Sequence, residues 1–354
     1  MRTTDPRPID PPPIDPPPID PPPIDPPQVD PLRIGEPAEL VAALPYLLGF
    51  HPRESLVLVA TGGSSGRRLG LTVRVDLPPP DDVGAVAEAV VASLMLDDPA
   101  GAAVVVLSAG ADPPARALVD HVVDHLGSRG LDVHTVMWAE SATAGARWSC
   151  FDDPACCGGL VPDPAATAFA AAAVARGAVA RADRADLEHQ VAAADGARLA
   201  RREAMIVDDA AVLPDRTAAL AAVDAALRDA AAGRLVLDDE QVVALAAALS
   251  DVRVRDAAML RGAGPMAAAA EHLWAALCRE TPDPEAAEPA ALLAVSALLR
   301  GDGALAHVAL DRAERAWPGH RLTGLLRQVA DAGIRPGVFR DCIGAEDVCV
   351  GSAG

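Results

Sequence analysis

The stretch LPYLLGFHPRESLVLV, residues 44–59, joins the end of an apolar helix to a short buried strand. Gly49 should end the helix, because glycine readily adopts the left-handed backbone conformation that follows many helices. The LVLV run at residues 56–59 is apolar throughout, which is typical of a strand buried on both faces. The polar residues between helix and strand are His51, Arg53, Glu54 and Ser55. A polar join packed against a core strand is where binding or chemistry would sit.

Residues 34–163 predict an α/β domain that contains a mixed sheet. Residues 69–77 alternate apolar and polar positions, and this alternation puts Arg74 and Asp76 on one face of a strand. Further strands are predicted at residues 102–107, 131–138 and 146–151, with helices at residues 82–96 and 113–126. Strands separated by helices need crossover connections, so we expect a mixed sheet with helices packed on it.

Residues 164–340 predict an all-α helical C-terminal domain, because the apolar positions there follow helical spacing almost throughout. Residues 290–318 within it resemble a tetratricopeptide-type hairpin, with small residues at the packing positions and Pro318 at the close. This hairpin is either an ordinary antiparallel pair or part of a peptide-binding groove. The glycine-containing residues 341–354 are expected to form a flexible tail.

A repeat of Ile-Asp followed by three prolines fills much of residues 1–33. Proline fixes φ and has no backbone N–H, so this segment cannot form a helix or a sheet. We expect a disordered, extended, proline-rich arm. The arm is either a docking peptide for a protein partner or a tail of variable length.

The charge balance excludes several classes of function. All 30 residues in the combined lysine and arginine count are arginines, so a Walker A loop and a pyridoxal phosphate Schiff base are excluded in their usual form. The formal net charge of −20 argues against a nucleic-acid partner and against an anionic membrane. No apolar run is long enough for a membrane span and no secretory signal is recognisable, so we expect a cytoplasmic protein.

The polar join forms the first candidate site if the first two strands pair with each other. Pairing would bring the join close to the polar face of residues 69–77. The candidate ligand-binding residues are therefore His51, Arg53, Glu54, Ser55, Arg74 and Asp76. They would form either an acid–base or anion-binding site, or a buried charge network that fixes a loop.

The second candidate site is the cysteine-containing segment at the end of the first domain. Its residues are Arg147, Trp148, Cys150, Cys156 and Cys157. Cys150 and one cysteine of the adjacent pair could supply two thiolates to zinc, whereas the side chains of adjacent cysteines are expected to diverge. The alternatives are structural packing and a reactive or redox-active thiol. We therefore predict no cofactor, and zinc is the ion that this segment would hold if it binds a metal.

Several motifs occur together in a way that resembles one protein family. They are LPYLLGFHPRESLVLV, LTVRVDLP, ARWSC followed by the adjacent cysteines, and the C-terminal LLAVSALLRGDGALAHVALDRAERAWPGHRLTGLL. This combination resembles a family of actinobacterial proteins known as a domain of unknown function, over about residues 35–333. That family often has an aromatic residue and a proline where this chain has Ser149 and Gly158. The resemblance implies the domain order and a cytoplasmic actinobacterial protein, and it implies no activity.

Two hypotheses of function follow from these features. The first is a non-catalytic interaction or regulatory protein, which binds a protein partner through the helical domain or through the proline-rich arm. The second is a small-ligand-binding protein or an enzyme with its site at the sheet edge, near the seam between the domains. Neither hypothesis assigns a catalytic residue.

Overall fold

The computed structural model describes residues 36–62, 68–110, 115–175, 177–209 and 215–350. Within these ranges, the structure describes residues 68, 209 and 345–350 by their backbone alone. The predicted proline-rich arm lies outside the described residues, as do residues 351–354 of the predicted tail.

Six strands in the described part of the chain form one mixed sheet, as the sequence predicts. They are β1 (Ser55–Gly62), β2 (Arg68–Asp76), β3 (Gly101–Leu107), β4 (Asp132–Ala139), β5 (Arg147–Cys150) and β6 (Gly158–Leu160). Their spatial order is β2-β1-β3-β4-β5-β6. β3 and β4 are parallel, and every other neighbouring pair is antiparallel. β6 has no counterpart in the sequence prediction, because its three residues carry no alternating pattern.

Helices cover both faces of the sheet. They include α1 (Pro37–Leu48), α2 (Val83–Met95) and α3 (Arg116–Ser128). α2 and α3 pack on the face that carries Leu56 and Leu58. α1 and the C-terminal helices pack on the opposite face, which carries Val57 and Val59. β1 is therefore buried from residue 55 to residue 61, and this burial of apolar surface stabilises the centre of the fold.

The C-terminal part is helical, as predicted. Its helices are α4 (Ala168–Ala175), α5 (Arg184–Val191), α6 (Gly196–Asp209), α7 (Arg216–Ala231), α8 (Asp239–Ser250), α9 (Val252–Gly262), α10 (Ala267–Glu280), α11 (Ala287–Arg300), α12 (Gly303–Ala316), α13 (Arg321–Asp331) and α14 (Pro336–Val350). α11 is buried at nearly every position. A helix that is apolar all round belongs inside a bundle, and α11 is the central helix of this one.

One predicted helix is two helices in the structure. The periodicity over residues 183–204 predicts a single helix, but α5 ends at Val191 and α6 begins at Gly196. Asp195 starts the second helix, because its carboxylate accepts hydrogen bonds from the N–H groups of the second and third residues after it, both at 3.1 Å. Capping by one side chain thus overrides the apolar periodicity.

α14 replaces the first part of the predicted flexible tail. Phe339 and Ile343 are four residues apart, and both are buried in the main apolar cluster. Residues at this spacing lie on one face of a helix, so their burial anchors α14 against the bundle. The helix then continues as far as Val350.

The polar join between α1 and β1 also holds the chain that leads into α5. The N–H of His51 donates to the carbonyl oxygen of Arg181 at 2.9 Å, and the N–H of Arg181 donates to the carbonyl oxygen of Gly49 at 3.0 Å. These two hydrogen bonds form a parallel β-bridge between Phe50 and Arg181. One apolar cluster runs from the sheet through α1 into the C-terminal helices. The predicted domain boundary at residues 163–164 stays a prediction.

Gly49→Ala is expected to lower the free energy of unfolding by about 1–2 kcal/mol, because an L-residue pays this cost in the left-handed conformation. Gly49 has φ +78°, and a Cβ there would lie 3.4 Å from a carboxylate oxygen of Asp302. Chemical denaturation measures the change. The matched control is Gly84→Ala in the first turn of α2, where the new Cβ meets open space. Equal losses in the two variants would contradict the assignment of strain to Gly49.

Candidate functional site

Arg74 is the centre of the polar cluster at the β2 edge of the sheet. It lies opposite Val57 in the β1–β2 register, and directly opposed residues point to the same face. Its guanidinium donates to the carbonyl oxygen of Arg53 at 3.3 Å and pairs with the carboxylate of Asp76. The guanidinium carbon lies 5.6 Å from the centroid of the Phe50 ring. The Arg74 side chain therefore contacts both Asp76 on β2 and the polar join between α1 and β1.

Glu54 closes the carboxyl end of β3. Its carboxylate accepts hydrogen bonds from the Ser108 hydroxyl at 2.8 Å and from the Ala109 N–H at 2.9 Å. These bonds hold Glu54 at φ +40°, a backbone conformation that is uncommon outside glycine. Sequence reasoning missed Ser108 and Ala109. Their position could have indicated them, because they directly follow the buried strand β3, and ligands often bind where the carboxyl ends of neighbouring parallel strands meet.

Three buried polar atoms of the join and of the neighbouring β2 have no hydrogen-bond partner among the described residues. They are His51 Nδ1, Ser55 Oγ and Arg74 Nε. Ser55 is fully enclosed, so a ligand would reach its hydroxyl only after the packing opens. Burial lowers the pKa of His51, the backbone of Ala142 opposes this effect, and the charge of Arg53 adds to it. The imidazole is therefore a neutral group at neutral pH.

The structure separates the candidate ligand-binding residues into two groups. Arg147 and Trp148 lie on β5, four strand positions from β2. This separation corresponds to about 19 Å at the ordinary spacing of strands. Arg147 lies 3.7 Å from a carboxylate oxygen of Glu140, and Trp148 packs against the main apolar cluster. The Arg74 cluster and the β5–β6 segment are therefore two distinct places in the fold.

The three cysteines of the second candidate site converge. The sulfur atoms of Cys150, Cys156 and Cys157 all lie within 4.8 Å of one another. The expectation that the adjacent cysteines diverge is wrong, because Cys156 and Cys157 lie in a turn and not in a strand, where neighbouring side chains alternate. Cys150 is partly buried, and the other two cysteines are exposed.

The thiols of this cluster differ in acidity. The backbone N–H of Asp153 is the main cause of a lowered pKa at Cys150, although burial opposes it. The hydrogen bond with Cys157 is the main cause of the raised pKa of Cys156, which is about 11. Cys150 therefore loses its proton before Cys156 as the pH rises.

A cavity of about 790 Å³ lies in the helical part, between α9, α10, α11 and the chain that precedes α5. This volume is typical of sites for small molecules. The polar residues that line it are Arg181, Gln190, Glu271, His272, Arg279, Ser296, Arg300 and Arg340. Sequence reasoning missed the cavity, because its lining residues come from distant segments of an alanine-rich chain and share no local motif.

Arg300 is the ion-paired arginine of this cavity. It donates to both carboxylate oxygens of Glu271 at 3.1 Å and to Asp302 at 3.0 Å. Burial raises the pKa of Glu271, the charge of Arg300 opposes this effect, and the charge of Asp302 adds to it. The Arg300 guanidinium is thus neutralised within the fold.

The other three arginines of the cavity form no ion pair with a carboxylate that the structure describes. Arg181 donates to the amide oxygen of Gln190 at 2.8 Å, and Arg340 donates to the carbonyl oxygen of Leu299 at 3.3 Å. Both acceptors are uncharged. Arg279 also lines the cavity and lies on the exposed side of α10. The charge of Arg181 does act on Glu271, where it opposes the rise in pKa that burial causes, but one glutamate cannot balance the four arginines that line the cavity.

The family model of a domain of unknown function, DUF4192, matches residues 37–337. The chain belongs to the DUF4192 family. The match confirms the predicted membership of a family of unknown function, and it spans the sheet, the cysteine cluster and most of the cavity. Arg340 lies beyond it. Comparisons with curated proteins and with solved structures found no match.

The described residues of this DUF4192 chain contain no helix that is both long and apolar enough to cross a membrane. A single family match extends from α1 to the beginning of α14. The matched residues therefore include the Arg74 cluster, the cysteine cluster and most of the arginine-lined cavity.

Glu54→Ala is expected to destabilise this DUF4192 protein by about 1–3 kcal/mol, because it removes the acceptor of two hydrogen bonds. The Ser108 hydroxyl and the Ala109 N–H would lose their partner. Urea denaturation measures the loss. Arg53→Ala is the matched control, because the carbonyl oxygen that Arg74 uses stays in place, and its effect should stay within about 0.5 kcal/mol. Two variants of equal stability would rule out a capping role for Glu54.

Proposed function

We propose that this protein is a non-catalytic binding protein whose ligand is a small organic anion. The proposal rests on Arg181, Arg279 and Arg340, which line one cavity without a carboxylate partner among the described side chains. Arg202 shows the contrasting case of an arginine whose charge is balanced within the fold, because this buried residue pairs with the carboxylates of Asp239 and Glu280. Cations left uncompensated around a cavity attract an anion.

The charge of the cavity contrasts with the charge of the chain. The chain has a formal net charge of −20, whereas four arginines and one glutamate line the cavity. Salt screens charges beyond about 8–10 Å at physiological ionic strength, so the nearby arginines dominate within the cavity. Guanidinium groups recognise carboxylates and phosphates through paired N–H donors. Either group would serve as the head of the ligand.

The walls of the cavity favour an apolar body on the anion. They include the methyl groups of Ala267, Ala268, Ala275 and Ala276. Contact with apolar walls removes apolar ligand surface from water, which contributes about 25 cal/mol per Å². Small side chains also leave room for that body. The ligand class is therefore an amphipathic anion, with a carboxylate or phosphate head and an aliphatic or aromatic body.

Arg181 supports a regulatory role for binding. Its backbone forms the bridge to Phe50, while its side chain lines the cavity. A ligand that binds one arrangement of Arg181 more tightly would shift the population of that arrangement, and of the join attached to it.

A cytoplasmic location and an actinobacterial origin belong to the same proposal. The described cysteines, all free thiols, support a reducing compartment.

The predicted protein partner stays a prediction. α11, the first helix of the tetratricopeptide-like hairpin, is enclosed by neighbouring helices. A partner of the helical domain would therefore contact its outer surface and not a groove along α11. The proline-rich arm, which is the other predicted contact, lies outside the described residues.

Arg279→Gln is expected to weaken binding of an amphipathic anion by about ten- to a hundredfold, because one charge-assisted hydrogen bond is lost. Isothermal titration calorimetry with phenyl phosphate and with a medium-chain carboxylate measures the loss. Inorganic phosphate, which lacks an apolar body, should bind the unaltered protein more weakly than phenyl phosphate does.

Arg129→Gln is the matched control for this variant. It removes one exposed arginine at the end of α3, away from the cavity. Its affinity for both probes should equal that of the unaltered protein. The proposed function fails if the unaltered protein binds none of the probes, or if both variants lose affinity equally.

Binding of the anion is expected to tighten as the pH falls from neutral into the mildly acidic range. Burial raises the pKa of Glu271 above its ordinary value, so this carboxylate gains a proton earlier than an exposed glutamate does. The neutral form no longer repels the anion. A sulfonate probe keeps its own charge constant, so calorimetry at several pH values reports only the protein groups.

Glu271→Gln tests the role of this carboxylate directly, because the variant lacks the group that gains the proton. The variant should bind the sulfonate tightly already at neutral pH and should lose most of the pH dependence. A pH dependence unchanged in Glu271→Gln would contradict the role of Glu271.

A further inference from the structure

The cysteine cluster has the dimensions of a metal site. The sulfur atoms of Cys150, Cys156 and Cys157 lie within 4.8 Å of one another. Thiolates on one tetrahedral zinc ion are about 3.8 Å apart, since each Zn–S bond is about 2.3 Å long. Small side-chain rotations therefore suffice to bring all three sulfurs onto one ion. Among the described residues, no other three histidine, cysteine or acidic side chains converge in this way.

Backbone hydrogen bonds shape the loop between β5 and β6 around these sulfurs. The N–H of Cys156 donates to the carbonyl oxygen of Asp153 at 3.0 Å, and the N–H of Ala155 donates to the carboxylate of Asp153 at 3.0 Å. Arg116 of α3 holds the outer side of the loop, at 2.5 Å from the carboxylate of Asp152.

Gly158 allows the two sides of the cluster to meet. A Cβ at this position would lie 2.9 Å from the carbonyl oxygen of Trp148, a distance that side chains do not tolerate from backbone atoms. Because glycine fits, β6 pairs with β5. The N–H of Cys150 then donates to the carbonyl oxygen of Cys157 at 3.1 Å, which holds the two cysteines next to each other.

We propose that Cys150, Cys156 and Cys157 bind one zinc ion through three thiolates. Each thiol releases its proton to solvent as its Zn–S bond forms. The fourth tetrahedral position stays open to water or to a ligand from solution, which is the arrangement of zinc sites with three protein ligands. The carboxylates of the loop do not fill it, because Asp152 pairs with Arg116 and Asp153 accepts from the N–H of Ala155.

Exposure separates this assignment from structural packing. Cys156 and Cys157 are exposed, whereas Cys278 is fully buried in the bundle. An exposed thiol gains little from the removal of apolar surface from water, so packing accounts for Cys278 and not for the exposed pair. Convergence of exposed thiols is instead what a thiophilic ion requires.

Zinc titration of the full-length protein tests the proposal. The protein is reduced, freed of metal with a chelator, and titrated with zinc in competition with a chromogenic chelator. We expect about one zinc per chain. Cobalt in place of zinc should give the visible absorption of tetrahedral cobalt and a thiolate-to-cobalt charge-transfer band.

Cys157→Ser is expected to weaken zinc binding more than about a hundredfold, because loss of a direct ligand exceeds the effect of losing an outer partner. Cys150→Ser should do the same, and far-ultraviolet circular dichroism checks that both variants fold. Cys342→Ser is the matched control, since it removes an exposed cysteine of α14 outside the cluster, and it should bind like the unaltered protein.

Two results would overturn the zinc site. One is no stoichiometric zinc binding by the reduced protein when all six cysteines titrate as free thiols in denaturant. The other is equal zinc affinity in Cys157→Ser and in the unaltered protein. Neither result bears on the arginine-lined cavity, so the proposed function and the zinc site succeed or fail separately.

Discussion

The parallel bridge between Phe50 and Arg181 is the interaction on which the rest of the structure depends. Two backbone hydrogen bonds, of 2.9 and 3.0 Å, join the residues after α1 to the chain that leads into α5. Backbone groups removed from water need partners, and each of these segments supplies the partners of the other. The bridge therefore holds the helical part against the sheet, and it also holds Arg181 at the cavity.

Two charged residues of the join and of β2, Glu54 and Arg74, are paired within the fold. Arg74 binds the carbonyl oxygen of Arg53 and the carboxylate of Asp76, and Glu54 binds the groups that follow β3. Arg74 is largely buried, and a charged group taken out of water is costly unless it is paired, so this residue requires its partners. The groups that remain able to bind a ligand lie elsewhere. They are the arginines that line the cavity and the exposed thiols of the cysteine cluster.

The order of strands and helices was largely predictable, and the exceptions have identifiable causes. β1 and β2 follow from an apolar run and from a clear alternation, both of which are local patterns. β6 carries no pattern of its own and forms because Gly158 lets the chain approach β5. The break between α5 and α6 depends on capping by Asp195, a signal of one residue that the surrounding periodicity obscures.

The sequence by itself determined that β1 is buried on both faces, that crossover helices flank a mixed sheet, and that the second half is helical. These features follow from the spacing of apolar residues, which acts over a few neighbouring positions. Only the tertiary structure decided that Cys150, Cys156 and Cys157 converge and that Arg181, Arg279 and Arg340 line one cavity. The first arrangement depends on the turn geometry of the loop between β5 and β6, and the second depends on contacts between segments that are distant along the chain. Neither is encoded by the spacing of apolar residues.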